Sequence, residues 1–141
     1  MATNKQLMTV LHAVPLFEGL STKQLKAVAE LAEVARFMGG VAIVKEGVIG
    51  DCFYVVLTGQ AKVVANGRTL TRLLPGSHFG EISLLDGGPR TASVVSETEM
   101  TLVMVEQRDF LGMLAEQPDI SIALLEGMAR AVRRMDRSLS R

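Results

Sequence analysis

The chain has 141 residues, 48% of them hydrophobic, which is enough to bury one core without disulfides, so a single domain over residues 1–141 is expected. Lys plus Arg and Asp plus Glu both number 15, which excludes a net charge that would attract nucleic acid or a membrane surface. One cysteine, Cys52, and two histidines, His12 and His78, support neither a disulfide scaffold nor a cysteine-rich metal site, and no metal is expected.

Targeting and membrane signals are missing from the sequence pattern. No apolar run approaches the roughly 18 residues of a membrane span, and the N-terminus lacks the apolar core and cleavage site of a signal peptide. The chain is therefore expected to be cytoplasmic. The opening "MATNKQ" favours an intact N-terminus.

Residues 1–36 have the pattern of N-terminal helices. Leu7 and Leu11 recur at helical spacing, and Ser21 and Gln24 stand in the S-x-x-Q order of a capping box. The intervening "VPLFEGL" contains a proline and is too short for a long helix.

Residues 37–106 change to short β-rich segments. Runs such as "VAIV", "CFYVVL", "AKVVA", "TLTRLL", "ASVVS" and "MTLVMV" alternate with glycine-rich turns. Asn66-Gly67 is the strongest hairpin signal among them. Together these segments predict an antiparallel β-roll or jelly roll, and so an α+β, mainly β fold flanked by helices.

Residues 107–141 return to a helical pattern, which Pro118 divides into two helices. The second helix carries a narrow apolar seam at 3-4 spacing: Leu125, Met128, Val132, Met135 and Leu139. The seam predicts either a helix partner, such as a second copy of the chain, or packing over the chain's own β-roll. Arginines off the seam form a solvated face or, less favoured, touch nucleic acid.

The segment 79–95, "FGEISLLDGGPRTASVV", contains the candidate binding site. Gly80 allows close backbone approach, and a helix starting there would direct the amides near Ile82 and Ser83 at an anion. Arg90 adds a permanently charged, forked donor suited to phosphate. Glu81 would repel an anion, so its useful role is to accept a bond from a sugar hydroxyl. Sugar plus phosphate indicates a nucleotide, whereas the alternative is a surface acid and arginine beside a turn.

This segment closely resembles the phosphate-binding cassette of cyclic-nucleotide-binding domains, the family of catabolite activator protein, protein kinase A regulatory subunits and cyclic-nucleotide-gated channels. "VPLFEGLSTKQLKAVAEL" is similar to the helices before the family's β-roll, and residues after Glu106 to its hinge and lid. The resemblance implies cAMP or cGMP as ligand. It also assigns the cassette's roles: Gly80, Ile82 and Ser83 offer backbone groups, Glu81 binds the ribose 2′-hydroxyl, and Arg90 with the Ala92 backbone holds the phosphate.

The resemblance also implies purine contacts, but the sequence pattern for them is less specific than that of the cassette. Thr91 occupies a position where a hydroxyl contacts base or phosphate, which permits both nucleotides, although it also suits the start of a strand. Val63, Thr71 and Leu73 stand where the family lines the purine pocket, but apolar strand residues also serve as core. The lid arginine of some members falls near Ala131, which makes Arg130 the candidate.

The sequence contains no phosphate-binding loop, zinc spacing or nucleophile elbow, so no enzyme is predicted. The leading hypothesis is a regulatory module that senses a cyclic nucleotide, cAMP slightly favoured, and signals by moving its C-terminal helices. The alternatives are an interaction domain of the same fold that uses no nucleotide, and a sensor domain excised from a larger channel, kinase or transcription regulator. No DNA-binding domain or membrane segment is expected in the printed chain.

Overall fold

The structure is a computed structural model that describes residues 3–139, without the side chains of Ile82, Ser138 and Leu139. The chain forms two compact units, a helical unit from the described parts of 1–30 and 111–141, and a β unit from 31–110. Within residues 3–139 the α-helices are α1 (Asn4–His12), α2 (Thr22–Leu31), α3 (Glu81–Asp86), α4 (Gln107–Glu116) and α5 (Pro118–Leu139), with a 3-10 turn at Pro15–Phe17.

The β unit is built from two antiparallel four-stranded sheets. Its strands are β1 (Glu33–Phe37), β2 (Ala42–Val44), β3 (Cys52–Thr58), β4 (Ala61–Ala65), β5 (Arg68–Leu73), β6 (His78–Phe79), β7 (Ser93–Ser96) and β8 (Met100–Glu106). One sheet has the order β1-β8-β3-β6 and the other β2-β7-β4-β5. The predicted antiparallel β-roll, preceded and followed by helices in the chain, is confirmed.

Local turn chemistry accounts for much of the roll. Asn66 and Gly67 have positive φ angles of 51° and 74°, the conformation that a two-residue hairpin turn requires, and they join β4 to β5. Pro118 opens α5 directly after α4 ends at Glu116. Both boundaries were predicted from the sequence.

Two strands depart from the sequence prediction. Helix was expected to continue to Arg36, but α2 ends at Leu31 and β1 begins at Glu33. The segment 33–37 pairs with residues 100–104 of β8, and this long-range pairing outweighs the local helical spacing. The two-residue β6, which pairs with β3, was not predicted because it is too short to show alternation.

The inward faces of both sheets form the core of the β unit. Cys52, Tyr54 and Val56 project from β3 and meet Ala61 of β4 and Val94 of β7. The strands supply alternate residues to this core, as the period of two requires. Partly buried side chains at its margin, including Phe79, continue from the core toward the cavity described below.

The helical unit has the capping box that the sequence predicted. Ser21 and Gln24 form the reciprocal capping box at the start of α2, with bonds of 2.9 and 3.2 Å. Ile120 and Leu124 of α5 are buried, and α5 packs against the 3-10 turn. None of the helices in residues 3–139 is long and apolar enough to cross a membrane.

The apolar seam of α5 lies on a different face from its buried residues. Leu125, Val132 and Met135 are 62–64% exposed and Met128 is 37% exposed, so these seam side chains are left largely exposed in the described chain. The side chain of Leu139 lies outside the described residues.

Candidate functional site

A cavity of about 500 Å³ opens on the β unit beside α3. The predicted cassette supplies most of its wall, and strands β2, β4, β5 and β6 supply the rest. Its lining includes Gly80, Glu81, Ser83, Arg90, Thr91, Ala92, Val63 and Leu73. The structure therefore brings eight of the sequence-predicted site residues to one concave surface of the size that holds a small organic ligand.

Gly80 connects β6 to α3 in a conformation that glycine adopts easily. Its φ and ψ are 91° and 8°, the left-handed region. A Cβ at this position would lie 2.7 Å from the Cys52 carbonyl oxygen and would collide with Nη1 of Arg90. Glycine thus lets the cassette backbone pass directly against the arginine. The predicted short helix from Glu81 is confirmed as α3.

Arg90 is the central charged residue of the cavity. Its backbone is held by the loop before β3, because the Arg90 amide donates to the Val48 carbonyl at 2.9 Å and the Gly47 amide donates to the Arg90 carbonyl at 2.8 Å. Its Nη2 donates to the Cys52 carbonyl at 2.6 Å. Gly50 leaves room for the side chain, since a Cβ there would overlap Nε and Cζ.

The guanidinium of Arg90 is buried without a compensating charge. Arg90 is only 9% exposed, yet within residues 3–139 no carboxylate lies at ion-pair distance from it. Its Nε is buried and has no hydrogen-bond partner among the described residues. A buried charge is costly unless it is paired, so this arrangement favours binding of an anion in the cavity.

The ionisable side chains beside Arg90 on β3 do not supply the missing negative charge. Burial, followed by the charge of Asp51, raises the pKa of the Cys52 thiol to about 11. Burial and the neighbouring Cys52 raise the pKa of Tyr54 to about 12, against the opposing effect of Arg90. Both groups are therefore neutral near pH 7.

Glu81 faces the same cavity but is engaged by a histidine. Nδ1 of His78 lies 2.8 Å from Oε2 of Glu81, and both side chains are about 30% exposed, at 28% and 31%. Partial burial acts to raise the pKa of Glu81, but the hydrogen bond and charge of His78 and a bond from its own backbone lower it overall. The same hydrogen bond raises the pKa of His78 against partial burial.

The predicted purine residues are only partly brought together. Val63 and Leu73 line the cavity, but Thr71 does not. Thr71 pairs with Val63 and lies nearer the Asn66-Gly67 hairpin than Leu73 does, and it is exposed. Thr91 lines the cavity and is exposed, as a residue at a rim would be.

The other two predicted site residues are Arg130 and Ile82. Arg130 belongs to the helical unit, where a Cβ on Gly19 would lie 2.8 Å from its Nη2. The side chain of Ile82 is outside the described residues, although its backbone is part of α3. Their assigned roles stay predictions.

Sequence reasoning missed several contributors to this site. His78 was considered only as a metal ligand, whereas it lines the cavity and contacts Glu81. Its position three residues before Glu81 was a usable signal. Phe79 also lines the cavity and stacks on Tyr54 with ring centroids 4.8 Å apart.

The chemistry of the cavity is that of a binding site for a polar anion. A guanidinium, a carboxylate and aliphatic side chains of β2, β4 and β5 all line it. Across residues 3–139, no three His, Cys, Asp or Glu side chains are grouped so as to hold a metal ion. The arrangement matches a ligand with a phosphate, a hydroxyl and a flat apolar part.

Comparison with known proteins also indicates a nucleotide-binding domain. Residues 34–117, more than half of the chain, match the family described as cyclic nucleotide-binding domain. The chain is 31% identical over 136 residues to a "CRP-like cAMP-activated global transcriptional regulator" of Mycobacterium tuberculosis, covering 93% of this chain and 61% of that protein. The chain thus spans about three fifths of that relative's length.

Two solved structures resemble the fold. The N-terminal domain of a transcriptional regulator from Streptomyces coelicolor A3(2) superposes with a TM-score of 0.80 at 32% identity, covering 92% of this chain and 94% of that one. The regulatory domain of Toxoplasma gondii PKA, solved with cAMP, gives a TM-score of 0.71 at 28% identity, covering 77% of this chain and 43% of that one.

Proposed function

The chain belongs to the cyclic nucleotide-binding domain family, and from this premise we propose that its cavity binds cAMP or cGMP as a regulatory ligand. The observation that carries the proposal is the buried Arg90 guanidinium, which has no carboxylate partner in residues 3–139 and lines the cavity. A cyclic phosphate carries one negative charge, and its oxygens accept forked donor pairs. The relatives' names, one "cAMP-activated" and one solved with cAMP, support the same ligand class.

Different residues of the cassette bind different parts of the nucleotide. Arg90, with the backbone at Ala92 and at the start of α3, holds the phosphate, and Glu81 accepts the ribose 2′-hydroxyl. Both charged groups line one cavity, and the lowered pKa of Glu81 keeps it an acceptor at neutral pH. No step of this proposal requires catalysis by the chain.

The base occupies the apolar wall. Val63 and Leu73, with Val44 and Val94, line the cavity and offer hydrophobic side chains to either purine. Thr91 at the rim supplies a hydroxyl that both nucleotides can use, so we place cAMP first by a small margin only. Arg130 stays the candidate for closing over the base from α5.

The response is transmitted by the C-terminal helices. α4 starts in the β unit, where the Gln107 amide donates to the Asp51 carbonyl at 2.7 Å, and it continues into the helical unit. Asp51 directly precedes β3, which holds Arg90 through the Cys52 carbonyl. A change at Arg90 therefore has a short covalent and hydrogen-bonded route to α4. The ligand shifts the equilibrium between two arrangements of the C-terminal helices only by binding one arrangement more tightly than the other.

The exposed seam of α5 is the proposed contact for a partner, and a second copy of this chain is the simplest occupant. Leu125, Val132 and Met135 expose more than 60% of their area at the spacing of a two-helix interface. Val132→Glu should lower the mass measured by analytical ultracentrifugation from dimer to monomer, whereas Arg137→Glu, which changes an exposed residue on the opposite side of α5, should not. A wild-type chain that sediments as a monomer at all concentrations would refute the proposal that a second copy packs on the seam.

Titration calorimetry of the purified chain with cAMP and cGMP tests the ligand directly, with 5′-AMP as the control for a nucleotide that lacks the cyclic phosphate. We expect saturable heat with at least one cyclic nucleotide and much weaker binding of 5′-AMP. No binding of either cyclic nucleotide would instead favour an interaction domain that keeps the fold without the ligand.

A further inference from the structure

His78 is fixed in the cavity wall by three separate contacts. Its backbone belongs to β6, where it pairs with Val55 of β3. Its ring lies against Phe53, with centroids 6.3 Å apart and planes at 45°, and Phe53 is fully buried. Its Nδ1 lies 2.8 Å from Oε2 of Glu81. The ring therefore cannot turn freely, and it presents Nδ1 to one carboxylate oxygen.

This geometry has a direct consequence for Glu81. A glutamate side chain on a cavity rim has three rotatable bonds, and ordering it when a ligand arrives opposes binding. A histidine that already holds Oε2 restricts those bonds, while Oε1 can still accept another hydrogen bond because a carboxylate has about four acceptor positions. The carboxylate is thus oriented before a ligand enters.

Building on the proposed function, we propose that His78 is a positioning residue that orients the Glu81 carboxylate toward a ribose hydroxyl and makes discrimination between ribose and 2′-deoxyribose cyclic nucleotides dependent on pH. His78 itself need not touch the nucleotide. Its effect is confined to the part of affinity that comes from the hydroxyl, and the phosphate contact of Arg90 is independent of it.

The direction of the pH dependence follows from the pair. An imidazolium donates a charge-assisted bond to Glu81, and this bond weakens when the ring loses its proton. The bond to Glu81 raises the pKa of His78 above 6.5, although partial burial opposes this, and it keeps Glu81 ionised at lower pH. Orientation of Glu81 is therefore strongest below the raised pKa of His78 and declines as pH rises through it.

The other charged or titratable groups around His78 do not account for such a change. On β3, Cys52 and Tyr54 have pKa values of about 11 and 12. Arg90 stays charged throughout. On α3, the Asp86 carboxylate lines the same cavity and accepts a 2.8 Å bond from the Gly88 amide. This leaves the pair of His78 and Glu81 as the element that changes charge near neutral pH.

Calorimetry with cAMP and 2′-deoxy-cAMP from pH 5.5 to 8.5 tests the proposal. In the wild type, the ratio of cAMP affinity to 2′-deoxy-cAMP affinity should fall as pH rises. In His78→Phe this ratio should be about three- to tenfold smaller at pH 6 than in the wild type, and it should not change with pH. Phenylalanine keeps the ring against Phe53 but removes the donor. His78→Asn retains a donor near the position of Nδ1 without a titrating group, so it should restore much of the ratio and still be flat with pH.

His12→Asn is the matched control, because His12 lies at the end of α1, and its ratio should follow the wild type. A wild-type ratio that does not change with pH, or a His78→Phe ratio equal to or larger than the wild-type ratio, would overturn the positioning role. The wild-type measurement needs no variant and so remains decisive if His78→Phe does not fold. Failure of the wild type to bind either cAMP or cGMP would refute the proposed function itself and is distinguishable from both results.

Discussion

Replacing Arg90 by methionine tests whether the charge of Arg90 serves ligand binding or the stability of the fold. Methionine is unbranched and fills much of the same volume without a charge. The substitution removes the 2.6 Å bond from Nη2 to the Cys52 carbonyl and also removes the buried Nε that has no partner in the described chain. These two changes act on stability in opposite directions.

The net effect on the ligand-free protein should be small. Leaving the Cys52 carbonyl without its donor costs about 1–3 kcal/mol, and removing a buried, unsatisfied donor recovers about 1–3 kcal/mol. The difference is under about 2 kcal/mol, which corresponds to a shift of about 6 °C or less in Tm for a chain of this size. A slight stabilisation is an allowed outcome, because hydrophobic replacements of buried charges are often neutral or stabilising.

The effect on binding should be large. Charge-assisted hydrogen bonds contribute about 1.5–3 kcal/mol each, so cAMP affinity should fall at least tenfold for one lost bond and about 100-fold for two. Thermal stabilisation by cAMP should fall with it, since that stabilisation depends on the ratio of ligand concentration to Kd.

Thermal unfolding with and without cAMP, together with titration calorimetry, measures both quantities in one variant. Arg68→Met is the matched control, because Arg68 is an exposed residue of β5 and should leave both unchanged. The binding role of Arg90 is refuted if Arg90→Met retains cAMP affinity within twofold of wild type. It is also refuted if the ligand-free variant loses far more than 6 °C, because Arg90 would then be a structural residue whose charge is already compensated.

Three further predictions concern the same machinery. Calorimetry should show weaker cAMP binding by Gly50→Ala, because the added Cβ would overlap Nε and Cζ of Arg90. Gly112→Ala is the control, because no atom lies within 4 Å of its Cβ, and it should bind cAMP normally and be slightly more stable in thermal unfolding. Thr91→Ala should reduce cGMP affinity more than cAMP affinity, and equal losses in the two titrations would show that Thr91 does not read the base. Amide hydrogen exchange should slow in residues 118–137 on addition of cAMP, and protection confined to the cassette would show that α5 is not the lid.

Local chemistry in the sequence determined the main features of the fold. Asn66-Gly67 marked a hairpin, Ser21 and Gln24 marked a helix start, and Pro118 marked the division of the C-terminal helices. Each signal acts between residues a few positions apart, so no knowledge of distant contacts is needed to interpret it. The order of glycine, acid and arginine in the cassette is also a local pattern, and it indicates the family without any distant contact.

The site residues that sequence missed depend on contacts between distant segments. Cys52, which accepts the bond from Arg90, lies 38 residues before it. Gly50, which makes room for that side chain, is equally remote. His78 is only three residues from Glu81, but its role depends on the pairing of β6 with β3 and on the ring of Phe53 behind it.

Tertiary structure also decided between patterns that the sequence left open. Residues 33–36 fit a helix locally and form a strand because β8 offers a partner. Leu124 and Leu125 are adjacent apolar residues of one helix, yet Leu124 is 4% exposed and Leu125 is 64% exposed. A helix places neighbouring residues about 100° apart, and only the packing of α5 against the 3-10 turn selects which face is buried and which stays exposed.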